Sequence, residues 1–249
     1  MSTALPTRPV LHSEWIKIRS LRGTFWALIA VLAATAGIQV LTAAAIGQAE
    51  PGSMGQDPLF AAYYGLLFGQ IAAMTFGASA LSAEFQNSAL RTSLTAVPNR
   101  TRFYLSKMVM VGVLALLVGQ ITALVTFVVG QAFMGPYALE LGDPGTYRSI
   151  VGCGLYLALM SLFAAGLAAV LKSGTAVLSL LIPFVLLVSF IVGEASGGVA
   201  QFLPDRAGQM VMHLSAQDGL GPWAGLGVMA LWAGAAVFGG WLAVRRRDA

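Results

Sequence analysis

The sequence predicts an all-α integral membrane protein of about six transmembrane helices, led by an N-terminal interfacial amphipathic helix. Three observations carry this reading. Of 249 residues, 57% are hydrophobic and 10% charged, with a mean hydropathy of +0.79. A soluble domain carries about 45–50% apolar and about 25% charged residues, so there is too little charge here to coat a water-facing surface. Second, six apolar runs are each long enough to cross a hydrocarbon core of about 30 Å at about 1.5 Å per helical residue. Third, the basic residues fall in alternate connections. No polar stretch is long enough for a separate soluble domain, so residues 1–249 read as one transmembrane domain.

The runs lie at 24–46, 59–81, 108–133, 149–171, 175–194 and 222–244. Residues 1–23 carry Val10, Leu11, Trp15, Ile18 and Leu21 near helical spacing, with Glu14, Lys17 and Arg19 mostly on the other side. That pattern predicts a helix lying in the membrane interface and leading into the first span. The following apolar run is too long for a cleaved signal peptide, whose apolar region is about 7–15 residues. The fourth and fifth runs are separated only by Lys172, Ser173 and Gly174, which predicts a tight turn at Gly174. Pro183 falls inside the fifth run and predicts a kink there. Segment 195–221 is rich in Gly and Pro, yet Phe202–Leu214 keeps enough apolar residues to dip into the interface as short helices.

Placing the N-terminus inside puts 12 of the 14 basic residues in cytoplasmic segments and only Arg148 and Arg206 outside. This is the asymmetry expected of a multi-pass protein of the plasma membrane with both termini cytoplasmic. The longest inside connection is 82–107, and 195–221 becomes an extracellular segment. The net charge of +4 is spent at the membrane surface, which argues against nucleic acid as a partner.

Much chemistry is excluded. The six spans hold no Asp, Glu, Lys, Arg or His apart from Glu194 at an outer end. Intramembrane charges mark proton and ion relays, so a proton-coupled pump is disfavoured. His12 and His213 fall on opposite sides of the membrane, and one cysteine, Cys153, can form neither an internal disulfide nor a zinc site. Residues 166–173 approach a phosphate-binding loop, but Leu171 replaces its second glycine and the stretch ends a membrane helix. The chain has no nucleotide-binding motif and is not expected to be an enzyme or to bind a cofactor itself.

The strongly placed polar groups of the first three spans are Thr35, Gln39 and Thr42 on one face of the first, Gln70 in the second and Gln120 in the third. Amides in lipid need partners. Two readings stand: hydrogen-bonded glue between helices, or the lining of a substrate path. Gly65 and Gly69 form a small-residue packing pair on the second span.

Taken together, these features resemble the permease subunit of a bacterial ABC-2 type transporter. The stretch with Ser13, Glu14, Trp15, Lys17, Arg19, Ser20, Arg22 and Thr24 is similar to that family's leading helix. Ser82, Glu84, Phe85, Ser88, Leu90, Arg91, Leu94, Pro98, Arg100 and Lys107 resemble its loop between helices two and three. The resemblance implies a half-transporter of exporter type. Two permeases, identical or homologous, would pair with a dimer of ABC ATP-binding subunits that hold ATP and Mg. Glu84, Phe85, Leu90, Arg91, Leu94, Pro98 and Arg100 would then form a coupling segment on the ATPase, and the first, second and fifth spans would wall the path. A hydrophobic or amphipathic cargo such as a drug, peptide or lipid is expected. The alternatives are a transporter or channel independent of an ATPase, and a non-transporting membrane scaffold.

Overall fold

The computed structural model describes residues 13, 15–18, 22–48, 57–85, 99–188, 191, 197–215 and 219–246. All regular structure among them is helical. The helices are α1 (Arg22–Gly47), α2 (Pro58–Ala61), α3 (Leu66–Ser82), α4 (Arg100–Gln131), α5 (Thr146–Leu171), α6 (Gly174–Pro183), α7 (Pro204–Gln209) and α8 (Pro222–Arg246). Five helical stretches among the described residues are long and apolar enough to cross a membrane: α1, α3 with the turn after it, α4, α5 and α8. A shorter apolar helix spans Gly174–Leu187.

The centre of the bundle is α5, which packs against α3, α4 and α8. Small residues permit this. A Cβ on Gly77 of α3 would lie 1.9 Å from the Ser161 carbonyl oxygen, and one on Gly166 would lie 2.5 Å from the Ala236 backbone of α8. Backbones therefore meet directly, gaining dispersion contacts where lipid offers no hydrophobic driving force. The opposite logic holds outside. Trp26, Leu41, Leu117, Leu231 and Phe238 are exposed apolar side chains, as expected of surfaces facing acyl chains.

Contacts define two ends. At the proximal end lie Lys17, Glu84, Lys107, the α5–α6 turn and the C-terminal turn of α8. At the distal end, Arg148 donates to the carbonyls of His213 and Leu214 at 2.6 and 3.2 Å, and Leu214 N–H donates to Asp57 at 2.6 Å. Short helices cap this end: the 3-10 turn Gly197–Phe202, α7, and the 3-10 turn Met210–Met212.

Four sequence expectations need correcting. The third span does not start at 108. Helix α4 begins at Arg100, where Asn99 caps it by accepting from Arg102 N–H at 3.1 Å. Its 32 residues measure about 48 Å, so it projects beyond the apolar layer and takes in residues 100–107 of the expected 82–107 loop. Lys107 thus stands within a helix, on its buried side. The second span is broken between α2 and α3 at residues 62–65. The turn before α6 is made by Lys172 in a left-handed conformation (φ 55°) and by Ser173, whose hydroxyl accepts from Ala176 N–H. Gly174 is the first helical residue, kept small because a Cβ would lie 2.6 Å from Ser82 Oγ. Finally, the α-helix of the fifth span is interrupted after Pro183, where a π turn runs over Phe184–Val188. Proline has no N–H to give, and the helix changes its winding at that point.

Candidate functional site

Two polar constructions stand out, and the proximal one borders the expected coupling segment. Glu84 lies in the 3-10 turn Ala83–Phe85 and is buried. Its Oε1 accepts from Lys107 Nζ at 2.6 Å and from Lys17 Nζ at 3.1 Å. The Lys107 side chain is fully enclosed, whereas that of Lys17 is 35% exposed. Lys17 also lies 5.7 Å above the Phe103 ring. A buried charge is costly unless it is paired and hydrogen-bonded; here one carboxylate meets two ammonium groups. The cluster joins the leading helical turn, the end of α3 and the first turns of α4.

The far border of the segment is also held. Arg100 donates to the Val244 carbonyl at 3.4 Å, and Trp241 donates to Thr101 Oγ1 at 3.1 Å. Residues 86–98 between these borders lie outside the described residues, as do Glu14 and Arg19. The expected contacts Leu90, Arg91, Leu94 and Pro98 are therefore not placed. Of the rest, Glu84 turns inward to its lysines, Phe85 is half-buried against the core, and Arg100 reaches α8. Trp15 is exposed and Arg22 opens α1. Sequence reasoning did not pair Glu84 with Lys107. The available signal was an acid and a base bracketing one connection at similar depth.

The five span residues singled out above are engaged within the chain. Gln39, fully buried, donates from Nε2 to the Ala61 carbonyl and accepts the Gly65 N–H at Oε1, both at 3.0 Å. Those two groups would bond to each other in a continuous helix, so the Gln39 amide is inserted into the ladder and breaks the second span. Thr35 donates to the Val31 carbonyl, and Gly69 packs against it so closely that a Cβ would lie 1.9 Å from Oγ1. Thr42 donates to the Ile38 and Gln39 carbonyls. Gln120 donates to the Val151 carbonyl at 2.8 Å across the α4–α5 contact. Gln70 accepts from the Tyr156 hydroxyl and donates to the Leu67 carbonyl. It also lines a distal cavity together with Asp205 and Arg206.

At the distal end His213 stacks on Phe60, centroids 4.8 Å apart, with Nδ1 3.5 Å from Asp57 Oδ2. Burial holds its pKa below the ordinary histidine value, outweighing the attraction of the Asp57 carboxylate. No group of three or more His, Cys, Asp or Glu suited to a metal ion occurs among the described residues.

A bundle of membrane-length apolar helices, packed through glycine and tied by a charged knot at one end, defines a multi-pass membrane protein. The family model described as "ABC-2 family transporter protein" matches residues 10–191, and the chain belongs to that family. It is a permease component of an ABC transporter, the membrane subunit that works with an ABC ATPase partner. None of the curated proteins compared with the chain matches it.

Proposed function

We propose that the chain is half of an ATP-driven exporter for a hydrophobic or amphipathic cargo, paired with a second permease in the bacterial plasma membrane. The proximal end then faces the cytoplasm, where a dimer of ATP-binding subunits holds ATP and Mg. The observation that carries this reading is the Glu84–Lys107–Lys17 cluster. A docking loop transmits force only if its roots are fixed. Residues 86–98 are rooted on one side by that cluster and on the other by the Asn99 cap and the Arg100 contact to α8. A push on the loop would thus reach the leading helix, α3, α4 and α8 together. The inward position of Glu84 assigns it to the root, leaving Leu90, Arg91 and Leu94 as the apolar and charged contacts that meet the ATPase, as a short helix fills a groove.

The test is co-purification of the ATP-binding subunit with Arg91→Glu and Leu94→Asp variants of the full chain, alongside transport in membranes. Loss of association with normal membrane insertion is expected. Association and transport at the wild-type level in both variants would place the docking surface elsewhere.

A further inference from the structure

A cavity of about 370 Å³ opens at the distal end between the broken second span, the π turn after α6, and α7. Its walls are unlike the rest of the apolar bundle. Phe60 and Tyr64, edge to face at 5.4 Å, line one side. Phe68 and Leu186, each 44% exposed, line another and continue onto the outer apolar surface. The polar lining comes from Gln70 and from α7, which presents Asp205 and Arg206 at successive positions and Gln209 one turn on. Asp205 is 2% exposed and Arg206 half-buried. The floor is rigid, because Gln70 is held by Tyr156 and Leu67, and Tyr156 is itself clamped against Gly208, where a Cβ would lie 2.2 Å from the ring.

We infer that this cavity binds a zwitterionic amphiphile, with an ammonium group at Asp205, a phosphate-type anion at Arg206 and an apolar tail leaving past Phe68 and Leu186. Each part of the ligand follows from a wall. A carboxylate in a low-dielectric pocket attracts a cation strongly, and an aromatic lining such as Tyr64 can add cation–π attraction. The guanidinium of Arg206 offers a planar fork suited to phosphate oxygens. Opposite charges on neighbouring residues complement a ligand that carries both signs of charge. The opening between exposed apolar side chains suits a tail that stays among lipid acyl chains. The inference rests on the proposed export of amphipathic cargo for its biological sense, but the binding itself needs no ATPase.

The experiment titrates a fluorescent lysophosphatidylcholine onto the full chain in phosphatidylglycerol nanodiscs. Competitors are dodecylphosphocholine, dodecyltrimethylammonium, dodecyl phosphate and tail-free phosphocholine. Dodecylphosphocholine should displace the probe at a concentration roughly tenfold below either amphiphile that carries only one sign of charge, the factor expected of one additional charge-assisted hydrogen bond. Asp205→Asn and Arg206→Gln should each weaken that displacement roughly tenfold on the same grounds. Phe68→Ala, at the lipid-facing rim, should weaken all tailed competitors and keeps the test valid if Asp205→Asn misfolds. Equal displacement by the three amphiphiles, or unchanged binding in both Arg206→Gln and Phe68→Ala, would overturn the assignment. Displacement by tail-free phosphocholine as strong as by its tailed form would overturn the lipid-like ligand in favour of a soluble one. Binding without ATPase co-purification keeps the site and removes the export reading, whereas co-purification without binding does the reverse.

Discussion

Glu84, Lys107 and Lys17 do not contribute alike. The Lys107 side chain is fully enclosed, and the Glu84 carboxylate 2.6 Å away supplies the opposite charge. Lys17 is part exposed and keeps a hydrated alternative. Glu84→Gln should therefore destabilise the folded chain by about 3–5 kcal/mol, the range for stranding one member of a buried pair. The double variant Glu84→Gln with Lys107→Met should recover most of that loss, since no buried charge is left. Lys17→Ala should cost no more than about 1 kcal/mol, as for exposed ion pairs. Unfolding in detergent of the two single variants, the double variant and Lys17→Ala checks this; additive losses in the double variant would show that the two charges are independent. Residue identity was readable in the sequence, partnership was not. Glu84 was visible as part of a motif, but its partner stands 23 residues on, inside a helix whose start was set too late because Lys107 looked like a loop charge. The same holds for Gln39. Its amide was legible as an intramembrane group needing partners, yet nothing local said that it would replace the Ala61–Gly65 backbone bond.

At the scale of elements, apolar length alone located five of the spans, because a helix crossing lipid must satisfy its backbone internally and stay apolar throughout. What length could not show is where a helix is interrupted from outside itself. The α2–α3 break is made by α1, and the winding change after Pro183 by the missing N–H of one residue. Packing follows glycine placement. Gly77 and Gly166 meet backbone on neighbouring helices, whereas a Cβ on Gly227 or Gly234 of α8 would meet nothing within 4 Å. Gly77→Leu and Gly166→Leu should thus separate α5 from α3 and α8 and abolish a monodisperse, detergent-stable protein. Gly227→Leu and Gly234→Leu should leave it intact, and lipid-facing leucine is compatible with the surface they occupy. Size-exclusion profiles of the four variants read this directly, and aggregation of the α8 variants would reveal a packed face that a single chain leaves open. The outer cavity was the least legible element. Asp205 and Arg206 looked like ordinary loop charges until α7 folded them under the ends of α3 and α6.

For the whole molecule the deciding quantity is the number of crossings. The described part of the fifth run is α6, its π turn and a helical Ile191. The chain changes ends along this stretch. Gly174 packs on Ser82 beside the proximal cluster, while His213 meets Asp57 and Phe60 at the distal end. We read the passage between them as a fifth crossing and α8 as the sixth, returning Arg245 and Arg246 to the end that holds Lys17 and Lys107. Six crossings would leave both ends of the described chain on one side, which the proposed reading takes as the cytoplasm on the positive-inside asymmetry. Two glycines test this without disturbing packing, because a Cβ on Gly23 or Gly142 meets no atom within 4 Å. Gly23 lies at the proximal start of α1 and Gly142 in the distal turn before α5. Cys153 is buried and free, so Cys153→Ala provides a clean background. In intact cells a membrane-impermeant maleimide should label Gly142→Cys and spare Gly23→Cys, which should react only after the membrane is opened. The reverse pattern would invert the molecule and put its basic residues outside. Labelling of both from outside would mean that α6 fails to cross, leaving five passes and termini on opposite faces.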